Sequence, residues 1–149
     1  MIETAEMLLE QYSDYASPYT KISRLVSEGR LYKITRGLYE TDGNVPPYLL
    51  AIHILTPSYI SFESALAYYG MIPERVVATF SATVGLHKTK EYRSDHFGLF
   101  IFQDIPAPAF PLGIEPMKEG RYSFWIASRE KAICDKLYKI PQIYNTMQG

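Results

Sequence analysis

The sequence of 149 residues predicts an α+β fold in two parts. Residues 17–39 have the pattern of one helix followed by a small hairpin. After a turn-rich segment at 41–47, two helical patterns give way to strand patterns and then to a last helix. Since helices and strands occur in separate runs, we expect a mainly antiparallel sheet. The turn-rich segment predicts a boundary between a unit at 1–42 and an α+β domain at 46–149.

The N-terminal unit is predicted to contain two helices. The first is expected over residues 2–12. Ser17 suits the cap of the second helix, and Pro18 suits its first position, where no backbone N–H partner is needed. Gly29 fits a left-handed exit after this helix. Three apolar residues, spaced by three and four positions, would form its buried stripe: Ile22, Leu25 and Val26.

A hairpin is predicted over residues 31–39. Polar and apolar residues roughly alternate there, and Gly37 permits the positive φ that a tight turn can need. A recognition helix followed by such a hairpin is the outline of a winged-helix-like module. Only one helix precedes the predicted recognition helix, whereas a full winged helix usually has two.

Charge is concentrated in this part of the chain. Residues 17–39 carry five basic side chains and one acidic side chain, a net charge of +4, although the whole chain carries only −1. A segregated basic patch can contact DNA phosphates, although a solvated surface is the ordinary explanation. The predicted DNA-contacting residues are Tyr19, Thr20, Lys21, Ser23 and Arg24 on the helix, and Lys33, Thr35 and Arg36 on the hairpin.

Composition predicts a cytoplasmic protein. There is no long apolar run that could span a membrane, and no secretory leader pattern at the start of the sequence. The single cysteine, Cys134, cannot form an internal disulfide, and its apolar neighbours predict a buried structural thiol. The 13 tyrosines suit either amphipathic packing or a contact surface for a partner.

The α+β domain is predicted to begin with two helices. The first covers residues 48–55, and the second is capped by Ser61 and ends at Gly70, with Phe62, Ala65, Leu66 and Tyr69 on one face. A final helix is expected after a Ser128 cap. Strands are predicted at residues 76–84, 97–102 and 121–127, with an edge strand at 113–117.

The polar clusters of this domain predict structural roles rather than catalysis. Ser58, Tyr59, Ser61, Glu63 and Ser64 gather at a helix start, where hydroxyl groups usually cap. Lys131 and Asp135 are four residues apart, as expected for a solvated bridge, and Glu130 lies on another face. The histidines have no metal-ligand spacing, and phosphate-binding glycine loops are absent. We therefore predict no catalytic, metal or cofactor site.

Three segments resemble the AbiEi-type antitoxin and transcriptional-regulator family. LTPSYISFESALAYYGMIPE at 55–74 is similar to the hallmark of that family. IASREKAICDKL at 126–137 resembles its helix with the pattern A-x-x-E-K-A-[LI]-x-D. KITRGLYE at 33–40 resembles the R-x-G-x-Y end of its wing, which makes Lys33, Arg36 and Gly37 wing positions.

The resemblance implies a cytoplasmic DNA-binding protein that represses its own operon within a type IV toxin–antitoxin, phage-defence system. It also implies a nucleotidyltransferase-like toxin as the functional partner, without a stable complex between the two. A homodimer on inverted repeats of operator DNA is expected, because a single copy with so small a DNA contact surface binds weakly. The helical segment that usually follows the family's last motif is predicted to be short or absent.

Two other classes of function stay open. A small defence-associated nuclease would need an acidic pair with a nearby lysine to hold Mg²⁺. Asp95 and Asp104 flank a predicted strand, but no Glu-x-Lys or Asp-x-Lys follows it. A protein-interaction module would use the tyrosines and the apolar helix faces instead, and its binding would survive high salt.

Overall fold

The computed structural model describes the backbone of residues 1–73 and 76–148 and the side chains of the same residues up to position 140. Glu74, at the end of the first resembling segment, lies outside the described residues. The helices are α1 (Ala5–Gln11), α2 (Pro18–Ser27), α3 (Ala51–Ile54), α4 (Phe62–Tyr68) and α5 (Arg129–Gln148). The strands are β1 (Ile2–Thr4), β2 (Tyr32–Thr35), β3 (Leu38–Glu40), β4 (Ser58–Ile60), β5 (Ala78–Thr83), β6 (Lys90–Ser94), β7 (Gly98–Asp104), β8 (Ile114–Glu119) and β9 (Tyr122–Ala127).

The first helix starts later than predicted, because the chain begins with a strand. Residues Ile2–Thr4 form β1 and pair with β3, so the hairpin becomes a three-stranded sheet in the order β1-β3-β2. The prediction of a helix from residue 2 was therefore wrong. Thr4 accounts for the change, because its hydroxyl accepts a hydrogen bond from the Met7 N–H at 3.2 Å and caps α1.

The second helix confirms the prediction. The Ser17 hydroxyl accepts from the Thr20 N–H at 3.4 Å, and Pro18 occupies the first turn. After the helix, Gly29 adopts a φ of 71°. A small N-terminal core forms between the two helices and the start of the hairpin, from Leu8, Ile22, Leu25 and Leu31.

The second part is a six-stranded mixed sheet in the order β6-β7-β5-β4-β9-β8. Three of its five pairings are antiparallel, and β4–β9 and β5–β7 are parallel. The predicted edge strand is β8. Strands β4 and β6 were not predicted, because β4 has only three residues after Pro57, and β6 has the polar sequence KEYRS of an exposed edge.

Side chains alternate across this sheet, and residues on both of its faces contribute to the main core. On one face, α4 and α5 pack against each other and against the strands. On the other face, Phe100, Phe102 and Ile126 are fully buried in the main core. The predicted helix at 48–55 is divided into a 3-10 turn at Pro47–Leu49 and the short α3. None of the helices in the described part of the chain is long and apolar enough to cross a membrane.

The two parts are in direct contact. The Ser94 hydroxyl donates to the Lys33 carbonyl at 2.8 Å, and the His96 ring lies 4.5 Å from the Tyr32 ring. Gly43 is packed so closely that an added Cβ would approach the Tyr32 ring to 2.6 Å. The turn-rich segment is therefore packed against both parts, and Val45 within it is buried. The division at residues 42 and 46 stays a prediction.

Candidate nucleic-acid interface

Helix α2 presents a polar face to solvent. Successive residues turn by about 100° around a helix, so Thr20 and Arg24 both lie about 160° from the buried Ile22. Both side chains are exposed, as is Ser23 beside them. Tyr19, at the start of the helix, is 69% exposed. Five of the predicted contact residues lie on this helix, and all of them except Lys21, which is half-buried, are exposed.

Lys21 lies at the flank of this face, against two tyrosine rings. Its Nζ is 5.8 Å from the centre of the Tyr12 ring and 5.2 Å from that of Tyr15. The two rings contact each other edge to face at 5.7 Å. Sequence analysis did not identify Tyr12 and Tyr15 as parts of this site. Both tyrosines lie in the turn that follows α1, and no helical spacing in the sequence pointed to them.

A shallow cavity of about 250 Å³ lies at the N-terminal end of α2. The Ser17 and Thr20 hydroxyl groups are hydrogen-bonded to each other at 2.8 Å beside it. The free N–H groups and the dipole of the helix favour negative charge at this end. The residues around the cavity are Tyr15, Ala16, Ser17, Thr20, Lys21 and Arg24.

The hairpin supplies the three remaining predicted residues. Lys33 and Arg36 are exposed, and Thr35 is half-buried. Gly37 has a φ of 78°, as predicted, and its carbonyl accepts from the Ala5 N–H at 3.0 Å. The hairpin turn is thereby fixed against the start of α1, with Arg36 at its tip.

The basic side chains of this surface have few intramolecular partners. Within residues 1–73 and 76–140, no ion pair involves Lys21, Arg24, Lys33 or Arg36. Arg30, the remaining basic residue of the block, lies 3.7 Å from Glu28, and both are exposed. The four unpaired cations are therefore available to an external anion.

A second polar cluster is buried between β4 and α5, around the Asp135 carboxylate. The Tyr59 hydroxyl donates to it at 2.7 Å, and the Ser61 hydroxyl donates at 2.6 Å. Lys131 Nζ lies 3.4 Å from the other carboxylate oxygen and also donates to the Ala109 carbonyl. Burial and the adjacent carboxylate raise the pKa of Tyr59 well above its usual range, so this hydroxyl remains a donor.

The structure corrects three predictions about the cluster and the helix that carries it. The Lys131–Asp135 bridge is not solvated, since only 9% and 4% of the two side chains is exposed. Ser61 occupies the N-cap position of α4 as predicted, but its hydroxyl donates to Asp135 and does not cap a backbone N–H of the helix. Cys134, on the opposite side of α5 from Ala132, is exposed rather than buried.

The other polar residues of the predicted cluster are also structural. The Ser64 hydroxyl accepts from the Phe80 N–H at 2.7 Å, and Glu63 pairs with Lys136 of α5 at 3.0 Å. Among the residues that the structure describes, the buried Ser58 hydroxyl oxygen has no hydrogen-bond partner. Ser128 caps α5 as predicted, since it accepts from the Lys131 N–H at 3.1 Å.

The acidic residues considered for a nuclease do not converge. Asp95 precedes β7 and Asp104 ends it, so about 20 Å of extended strand separates the two ends. The Asp104 carboxylate accepts from the Leu86 N–H at 2.9 Å. In the described part of the chain, no group of three histidine, cysteine or acidic residues is arranged to hold a metal ion.

The three segments of the family resemblance have distinct places in the fold. Residues 33–40 form the hairpin, residues 55–74 contain β4 and α4, and residues 126–137 contain the start of α5. The last two segments meet at Asp135, which Tyr59 and Ser61 contact from β4 and the residue after it. No protein-family model matches the chain, and a search of curated proteins finds no match.

Proposed function

We propose that this chain is a DNA-binding transcriptional regulator with a winged-helix-like N-terminal module, and the antitoxin of a type IV toxin–antitoxin system. The observation that carries the DNA-binding part is the exposed basic surface of α2 and the hairpin. Its four cations lack intramolecular ion pairs in the described residues. Charge that does not stabilise the fold is free to neutralise phosphates.

In the proposed complex, the outward face of α2 enters the major groove of operator DNA. Recognition helices of this type contact base edges near their N-terminal end, where Thr20 lies, and Ser23 and Arg24 continue the exposed face toward the last turn. Lys33 and Arg36 extend from the hairpin toward flanking phosphates. Contacts of this kind position the protein on the duplex without reading its sequence.

The remaining parts of the proposal rest on the resemblance of the three segments. We propose that the protein represses its own operon and opposes a nucleotidyltransferase-like toxin without a stable complex. Two copies would bind inverted repeats, because a single α2 and hairpin make few contacts. The proposal assigns the chain no reaction, no cofactor and a cytoplasmic location.

The direct test is a fluorescence-anisotropy titration with the DNA upstream of the protein's own gene and with a scrambled duplex, each at 50 and 200 mM salt. We expect tighter binding to the upstream DNA and a marked loss of affinity at the higher salt. Equal affinity for both duplexes would contradict the regulator role. Absence of binding at the lower salt would reject DNA binding altogether.

A second candidate function is a protein-interaction module, and the surface of α5 favours it. Ile133, Leu137 and Ile140 are 39%, 59% and 49% exposed, and their four-three spacing places them on one face of the helix. If this face binds protein, Leu137→Ser should abolish self-association measured by light scattering at both salt concentrations. A protein that is monomeric before the substitution would argue against self-association through this face.

A further inference from the structure

We propose that Arg24 reads a guanine in the operator, whereas Lys21 contacts a phosphate. This inference rests on the proposed DNA binding and assigns separate roles to the two basic residues of α2. Both were predicted from sequence as DNA contacts, without a distinction between them. Their different surroundings in the structure provide that distinction.

The positions of the two residues on the helix differ. Lys21 lies only about 40° around the helix from the buried Leu25, at the edge of the packed side, and is half-buried. Arg24 lies on the outermost row, in line with Thr20, and is exposed. In a helix within the major groove, the outermost row faces the bases and the flanks face the two phosphate backbones.

The aromatic contacts of Lys21 support the phosphate role. Its ammonium group is within 6 Å of the Tyr12 and Tyr15 ring centres, a distance at which cation–π attraction operates. These contacts hold the charge beside the cavity at the helix N-terminus. A side chain restrained in this way supplies positive charge at a fixed place on the flank of the helix.

Arg24 has the chemistry that base recognition needs. A guanidinium can donate two parallel hydrogen bonds to O6 and N7 of guanine, the commonest specific contact in the major groove. Its neighbour Thr20 is already hydrogen-bonded to Ser17 within the helix cap. Ser23 has a short side chain. Arg24 is therefore the residue of this face with both the reach and the paired donors.

The test is selection of bound duplexes from a pool with a randomised half-site, followed by anisotropy measurements on the selected sequence and its single-base variants. We expect the wild-type protein to select a guanine at one position and to prefer it by about tenfold to 100-fold. Arg24→Ala and Arg24→Lys should lose that preference at that position alone. Lys21→Ala should weaken binding to every duplex by a similar factor and keep the guanine preference.

Controls separate the possible failures. Arg129→Ala and Lys118→Ala remove exposed cations outside the N-terminal unit and should leave both affinity and preference unchanged. If wild-type protein is selective but Arg24→Ala keeps the same guanine preference, the assignment of Arg24 is overturned and DNA binding stands. If wild-type protein selects no sequence, the proposed regulator function fails together with this inference. Circular dichroism of each variant confirms that it is folded.

Discussion

The basic surface of α2 and the hairpin and the buried cluster around Asp135 use charged side chains in opposite ways. In the N-terminal unit, Lys21, Arg24, Lys33 and Arg36 lie at the surface or at the flank of a helix, without ion pairs among the described residues. In the α+β domain, Lys131 and Asp135 are buried together with two hydroxyl donors. The first group is available for a partner, and the second is fully occupied within the fold.

The difference indicates where a substitution should affect stability and where it should affect binding. A buried charge that loses its partner costs several kcal/mol, because the remaining group is desolvated and uncompensated. An exposed charge contributes little to stability in water. Substitutions around Asp135 should therefore change the free energy of unfolding, and substitutions on α2 and the hairpin should change DNA affinity.

The largest expected effect is that of Asp135→Ala. Removal of this carboxylate leaves the Lys131 ammonium buried beside two unpaired hydroxyl groups, and we expect a loss of about 3–5 kcal/mol. Urea unfolding followed by circular dichroism measures the change. The matched control is Glu63→Ala, which removes a half-exposed ion pair between α4 and α5 and should cost at most about 1 kcal/mol. Equal losses would contradict the structural role of the buried cluster.

A smaller effect is expected for Tyr59→Phe. The substitution keeps the ring and removes one of the donors to Asp135, so the carboxylate loses a hydrogen bond in a buried place. We expect a loss of about 1–3 kcal/mol in the same unfolding experiment. Tyr19→Phe provides the exposed comparison and should leave stability unchanged. If the Tyr59→Phe variant has the same free energy of unfolding as the wild type, this hydroxyl contributes nothing to stability and the prediction is wrong.

The contact between the two parts should depend on pH through Glu40. Burial acts to raise the pKa of this carboxyl, but hydrogen bonds from the N-terminal amine, Tyr122 and the Asp42 N–H outweigh burial, and the pKa is lowered. Burial and the Glu40 carboxylate in turn raise the pKa of Tyr122 to about 12. A carboxyl with a lowered pKa stabilises the fold above its unfolded pKa, and this contribution is lost as the pH falls through the folded pKa.

Tyr122→Phe tests this pH dependence. At neutral pH the variant should be less stable than the wild type by about 1 kcal/mol, because Glu40 loses a donor. The difference should shrink as the pH is lowered through the folded pKa of Glu40. Unfolding free energies measured from pH 7 to pH 3 show the trend, and a difference independent of pH would contradict the link to Glu40.

The smallest effect on stability is expected for Arg36→Ala. Because Arg36 is exposed at the tip of the hairpin, the free energy of unfolding should change by no more than about 0.5 kcal/mol. Affinity for all duplexes should nevertheless fall, and the salt slope should decrease by about one unit. An unchanged affinity, measured by anisotropy beside Arg129→Ala, would exclude the hairpin from the interface.

Much of the N-terminal unit could be predicted because its signals are local. Ser17, Pro18, Gly29 and Gly37 act within a few residues of themselves, and each has its predicted role. The strand at Ile2–Thr4 was not predicted, because its pairing partner lies almost 40 residues further along the chain. A strand of three residues is too short to show an alternating polar–apolar pattern, so it is recognised only from its pairing in the folded structure.

The buried cluster shows the same limit within the α+β domain. The spacing of Lys131 and Asp135 indicated an ion pair, and that pair is present. Whether it is exposed depends on Tyr59 and Ser61, which reach Asp135 from 76 and 74 positions away. Residue spacing on one helix carries no information about what covers it, so burial of the pair could not be predicted.

The most direct test is the salt dependence of DNA affinity, measured for the wild-type protein and for one variant. In the variant, four cations are replaced by alanine: Lys21, Arg24, Lys33 and Arg36. Three phosphate-facing cations, Lys21, Lys33 and Arg36, predict a slope of about −2 to −3 for log affinity against log salt in the wild type. In the variant, binding should be weak and the slope close to zero. Equal slopes for both proteins, or a wild type without salt dependence, would contradict the assignment of these charges to DNA.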